Sequence, residues 1–183
     1  PIITPTTKGD IDEPISAEEI VKQGVVTQEQ WDYISEKALE LFEFGQYTVM
    51  RKGLVLVDTK YEFGFDINAG GRIILIDEIH TCDSSRYWIY DKEAEVLGYY
   101  SNPKTIDKDI MRDFIKSYGH PTNGGIVCDA KFEEIKQQTH DAYLTFCSKI
   151  TDSSPNDILK EHIYILELVI DMYFENCDKV IIC

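Results

Sequence analysis

The chain reads as an α+β fold, an antiparallel pair of strands with flanking helices. Three observations predict it. Trp31, Ile34, Ala38, Leu41 and Phe42 recur at helical spacing behind a capping signal. Two β-branched apolar runs, 54–57 and 73–76, flank a Gly-containing turn. Helical periodicity then returns three times after residue 106.

Taken in order, residues 1–15 are polar and extended. Ser16-Ala17-Glu18-Glu19 is a capping-box pattern, so a short helix is expected from Ala17 to about Gly24. Thr27-Gln28-Glu29-Gln30 is a second such pattern. It should open a long helix ending between Gly45 and Arg51. A strand is expected over 53–58 and on through Thr59 to Phe65. A turn over 66–71 leads to its partner at 72–79, and the two form a hairpin. Residues 80–102 read as irregular and rich in aromatics. Helices are expected from about Asp107 through Ile115, over 129–148 and over 156–176. In the last, Ile158, Leu159, Ile163, Leu166, Ile170 and Tyr173 share one side.

Composition narrows the function. A formal net charge of -15 disfavours nucleic acid and anionic membrane as partners, because both require clustered Lys and Arg. Anionic substrates would need locally placed cations. The longest apolar runs are too short to span a bilayer, and residues 1–5 do not resemble a signal peptide. Five cysteines without CxxC spacing read as reduced thiols of a cytoplasmic protein.

The hairpin carries the chemistry. In Val57-Asp58-Thr59-Lys60-Tyr61-Glu62-Phe63 a continuous strand would place Asp58, Lys60 and Glu62 on one face. Closing the turn with residues 67–72 would set Glu62 opposite Asp77. Facing carboxylates repel unless a cation lies between them, and hard oxygens suit Mg²⁺ bound to nucleotide phosphate. The plainer alternative is a solvated ion-pair face with Lys60 between acids. The next segment, Thr81-Cys82-Asp83-Ser84-Ser85-Arg86, offers hydroxyls and a guanidinium that can grip an oxyanion; its plainer reading is a turn with a surface Arg. His80 beside it reads as a strand-end histidine.

In order and spacing, Asp58-Thr59-Lys60-Tyr61-Glu62-Phe63-Gly64, Asp77-Glu78 and Asp83-Ser84-Ser85-Arg86 resemble the signature of the phosphoribosylaminoimidazole-succinocarboxamide (SAICAR) synthetases. Thr4-Pro5-Thr6-Thr7-Lys8, Asp12-Glu13-Pro14-Ile15-Ser16 and Asp107-Lys108-Asp109-Ile110-Met111-Arg112 resemble further family segments. The resemblance covers about residues 1–148. Cys82 departs from it, standing where many members have Pro.

The resemblance implies an ATP-grasp-like larger lobe over 1–148 with a helical extension over 149–183 packed on it. It also implies a smaller amino-terminal lobe that this chain lacks, so the complete enzyme is expected to be longer. The implied reaction is ATP-dependent ligation of carboxyaminoimidazole ribonucleotide (CAIR) to L-aspartate through an acyl phosphate, with Mg²⁺, giving SAICAR, ADP and phosphate. The alternative is a truncated, non-catalytic nucleotide- or ribotide-binding module. By motif position, Glu62 and Asp77 would hold the metal. Lys60 would meet phosphate or the substrate carboxylate, with Asp58 holding Lys60 or a substrate group. Lys8 and Asp12 would lie near the nucleotide. Asp83, Ser84, Ser85 and Arg86 would hold substrate, joined by Asp107, Lys108 and Arg112. For the last three the plainer reading is a helix N-cap and a solvated helix face. Family members are often oligomers, and nothing in the sequence locates an interface.

Overall fold

The computed structural model describes residues 1–8, 12–98, 103–118, 130–154 and 156–157. The chain divides into two compact units, Pro1–Ser85 and Arg86–Cys183.

The first unit opens with an isolated antiparallel bridge between Thr6 and Pro14. Helix α1 (Ala17–Lys22) starts where Ser16 accepts the N–H of Glu19. The Glu19 side chain turns forward to Lys22 and Gln23. Helix α2 (Gln28–Met50) begins with a complete capping box: the Thr27 hydroxyl accepts the Gln30 N–H, and the Gln30 side chain accepts the Thr27 N–H at 2.8 Å. Two N–H groups that a helix start leaves without a partner are thereby satisfied. The inner face of α2 buries Gly45 and Val49. It packs against strand β1 (Leu54–Thr59), whose Leu54 and Leu56 are buried.

The expected single strand from 53 to 65 is two strands. β1 ends at Thr59, Lys60 and Tyr61 lie outside any strand, and β2 (Glu62–Asp66) follows. Periodicity could not show this, because the break is held by bonds to residues more than fifteen positions away, described below. The hairpin is therefore β2 with β3 (Arg72–Ile76), and β3 stops three residues short of the expected 79. Between them a 3₁₀ turn (Ile67–Ala69) is capped by the Asp66 side chain, which accepts the N–H groups of Asn68 and Ala69. Gly70 and Gly71 close it at φ 70° and 80°, a conformation that favours glycine.

The register differs by one residue from the expectation. Glu62 pairs with Ile76, and Asp66 with Arg72. Asp77 lies beyond the strand at φ 68° rather than opposite Glu62. The physical reason is the turn: five residues close it, not six, and a one-residue shift reverses which side chains share a face.

Residues 80–102, expected to be irregular, contain two elements. Strand β4 spans Ser85–Ile89. Helix α3 (Lys92–Leu97) belongs to the second unit, capped by Asp91 at its start and by left-handed Gly98 at its end. Both caps stand in the sequence, but six residues are too few for a periodic signal. Helix α4 (Asp109–Tyr118) begins two residues after the expected start, and α5 (Ala130–Thr151) runs three residues past its expected end. The core of this unit buries Tyr87, Ile106, Phe114 and Phe146; the Tyr87 and Phe146 rings lie 4.5 Å apart. The α4–α5 contact includes Phe114 against Phe132, with ring centroids 6.2 Å apart. The helix expected over 156–176 lies outside the described residues except for its first two positions. No helix among the described residues is long and apolar enough to cross a membrane.

Candidate functional site

The first unit gathers four of the expected residues into one charge cluster. Glu62 is its centre, with 15% of its side chain exposed. Lys8 Nζ donates to both Glu62 oxygens at 2.6 Å. Lys60 Nζ lies 2.9 Å from Glu62 Oε1 and 3.1 Å from Asp12 Oδ2. Hydrogen bonds from Lys8 and then Lys60 hold the Glu62 carboxyl below the usual carboxylate range. Glu62 and then Asp12 push the Lys60 ammonium above its ordinary value. The expected shared strand face of 58, 60 and 62 is absent, because the strand breaks between them. Lys60 and Glu62 meet through the bend instead.

The signs of these shifts define a pH window. Glu62 is depressed, so its contribution to stability is present above the ordinary value of 4.5 and is lost as pH falls through the lowered one. Lys60 is raised, so its contribution is present below 10.5 and is lost as pH rises through the raised value. A ¹³C NMR titration should place the Glu62 midpoint below 4.5, and Lys8→Ala should return it towards that value. An unchanged midpoint in Lys8→Ala would show that Lys8 does not hold the carboxylate in solution.

Three bonds fix the bend against residues 80–85. The Lys60 N–H donates to the Ser84 carbonyl at 3.2 Å. The Thr59 and Ser85 hydroxyls are 2.7 Å apart. The Tyr61 hydroxyl is hydrogen-bonded to His80 Nε2. The hydroxyl chain continues from Ser85 to Ser84 at 3.2 Å and from Ser84 to Thr81 at 3.2 Å; Thr81 donates to Glu78. Ser85 is 1% exposed. The Ser84 and Ser85 hydroxyls, expected to face substrate, are thus engaged inside the turn. Asp83 is exposed beside them, Asp58 is half-buried on β1 and Asp77 is exposed after β3. Cys82 is buried.

The second unit brings two expected arginines to one acid. Asp109 accepts from Arg112 Nη1 at 3.4 Å, and Arg86 Nη1 lies 4.0 Å from its other oxygen. Nearly half of each arginine side chain remains exposed. Asp107 is 0% exposed, and both of its oxygens are used: Oδ1 accepts the Asp109 N–H at 2.8 Å and Oδ2 accepts the Tyr87 N–H at 2.6 Å. It ties the strand that bears Arg86 to the start of the helix that bears Arg112. Lys108 is half-buried between them in sequence. Sequence reasoning passed over Asp109, Thr59, Tyr61, Thr81 and Glu78, and set His80 aside. Thr59, Tyr61 and His80 act by bonding to residues 19 to 26 positions away, and Asp109 lies 4.0 Å from Arg86, which no local pattern marks; Thr81 and Glu78 bond within their own turn.

This arrangement offers exposed ammonium groups beside a carboxylate and, separately, paired guanidinium groups. Both suit phosphorylated or carboxylate ligands. A family model described as SAICAR synthetase matches residues 1–127. The chain belongs to the SAICAR synthetase family. It is 48% identical over 136 residues to the phosphoribosylaminoimidazole-succinocarboxamide synthase of Legionella pneumophila, covering 74% of this chain and 43% of that one. It is 46% identical over 137 residues to the chloroplastic synthase of Arabidopsis thaliana, covering 74% of this chain and 33% of that one. Among solved structures, the SAICAR synthase of Saccharomyces cerevisiae complexed with SAICAR superposes with a TM-score of 0.63 at 28% identity, over 82% of this chain and 46% of that one. A SAICAR synthetase in complex with ADP superposes at 0.54 and 26%, over 79% and 47%. The chain therefore spans less than half the length of these relatives.

Proposed function

We propose that this chain supplies nucleotide- and substrate-binding residues of an ATP-dependent carbon–nitrogen ligase joining CAIR to L-aspartate in purine biosynthesis. The observation that carries it is the Lys8–Glu62–Lys60–Asp12 cluster, built from three motifs that the family match spans. The names of the solved relatives, one complexed with SAICAR and one with ADP, support the same ligands. We read residues 1–148 as the larger lobe of the enzyme and 149–183 as its helical extension.

A carboxylate is a poor electrophile for an amine. Transfer of the ATP γ-phosphoryl group to the CAIR carboxylate oxygen gives an acyl phosphate and ADP. The aspartate amine then attacks the acyl carbon, and phosphate leaves with the C–O bond electrons as the amine loses a proton. Charge builds on the phosphoryl oxygens in the first step, and fixed cations stabilise it there more than in the ground state. Lys60 suits this part: half its side chain is solvent-exposed, and its ammonium is paired with Glu62 and Asp12. Lys8 is exposed beside it and meets the nucleotide. Arg86 and Arg112 bind the ribotide phosphate or a carboxylate, and Asp107 holds the backbone that carries them.

Glu62 fits a magnesium site in kind. It is a hard, half-buried carboxylate that already attracts two cationic groups, and Mg²⁺ needs only one or two protein carboxylates besides water and phosphate. Without the expected Asp77, which the register moves out of the position facing it, Glu62 would hold the ion. When bound, it would neutralise phosphate charge. No group of three or more metal-binding side chains occurs among the described residues.

The test is ADP release by the protein expressed from its native gene, with ATP, CAIR and aspartate. Release that requires both co-substrates is the expected result. Nucleotide binding without turnover would replace the ligase with a binding module.

A further inference from the structure

We propose that Tyr61 and His80 are a positioning pair that sets the bend at Lys60, so that the Lys60 and Glu62 charged ends meet at the nucleotide site. The inference rests on the reading of Lys60 and Glu62 given above.

Tyr61 lies between the two charged residues in sequence and outside both strands. Its hydroxyl is hydrogen-bonded to His80 Nε2, and the two rings meet edge-on with centroids 5.5 Å apart at 60°. Lys60 and Glu62 meanwhile bond to each other at 2.9 Å. The aromatic side chain thus serves as the inner anchor of a segment whose neighbours are the outer, charged ends.

Two costs in the backbone show that the imidazole is specifically accommodated. His80 adopts φ 57°, a left-handed conformation unfavourable for a non-glycine residue. Helix α2 carries Gly45 in its interior, where glycine is less favourable than alanine. A Cβ at Gly45 would lie 2.5 Å from His80 Cε1, 2.9 Å from His80 Nε2 and 2.8 Å from Leu56 Cδ2. The helix therefore leaves a side chain out where the ring sits.

The experiment compares Tyr61→Phe, His80→Ala and His80→Gln in the protein expressed from its native gene. Tyr61→Phe keeps the ring and removes only the hydroxyl. His80→Gln returns a polar atom near the Nε2 position. One readout is the hydrogen-bonded Lys60 ammonium signal in ¹⁵N NMR; the other is kcat and KM for ATP. Tyr61→Phe and His80→Ala are expected to lose the protected Lys60 signal and about 10- to 100-fold in kcat/KM, with cooperative melting kept and His80→Gln restoring much of both. Retention of the Lys60 signal in Tyr61→Phe and His80→Ala would overturn the proposal, as would a lowered melting temperature with unchanged kcat and KM. If the unmodified protein releases no ADP, the ligase reading fails. The ammonium signal then decides the positioning claim by itself. Should His80→Ala not fold, the Tyr61→Phe signal alone upholds or overturns the pair.

Discussion

Replacing Lys60 with methionine should lower ADP release by about 100- to 1,000-fold, the usual loss when one fixed group facing transition-state charge is removed. Its fold should survive. The Lys60 side chain is 51% exposed, and exposed ion pairs contribute only about 0–1 kcal/mol to stability. Methionine keeps the apolar stem and removes the ammonium. The measurement is steady-state ADP release beside a thermal melt of the same sample. A folded variant with undiminished turnover would remove Lys60 from the chemistry and return the cluster to a solvated ion-pair face. Lys60→Arg should recover little, because a planar fork does not replace a compact ammonium held between Glu62 and Asp12.

The second large effect belongs to Asp107, and it is on stability. Asp107→Ala should destabilise the second unit by about 2–4 kcal/mol. Two N–H groups, of Tyr87 and Asp109, lose a partner, and each buried donor left unmet costs about 1–3 kcal/mol. Asp107→Asn should fall between, since it keeps one acceptor oxygen and turns the other position into a donor facing an N–H. Urea denaturation followed by the aromatic signal measures both. A loss under about 0.5 kcal/mol, within the usual range for a surface substitution, would contradict the bridging role. Arg86 and Arg112 flank this bridge, so Asp107→Asn should also raise KM for the ribotide more than KM for ATP.

The legible part of this molecule was what local chemistry writes. Ser16 and Thr27 announce α1 and α2, because a hydroxyl three residues ahead of a Glu or Gln satisfies N–H groups that no other arrangement of the segment would. The apolar runs announce β1 and β3, and the Gly70–Gly71 turn announces the hairpin. The motifs named the family and the residues Lys8, Asp12, Lys60 and Glu62 that the fold brings together.

Only the tertiary structure decided the rest. The strand break at Lys60 and Tyr61 is made by bonds to Ser84, Ser85 and His80, between 19 and 26 residues away for the side-chain pairs. A local pattern has no access to such partners. The one-residue register was set by the length of the turn, and it moved Asp77 out of the position facing Glu62. The Ser84 and Ser85 hydroxyls could have faced ligand or protein on sequence grounds; Thr59 and Thr81 bind them inward. Asp107 read as a substrate-binding residue or a helix N-cap and is fully buried, because two backbone N–H groups from different elements converge on its carboxylate. Sequence determined which chemical groups were available; long-range hydrogen bonds determined which of them still face outward.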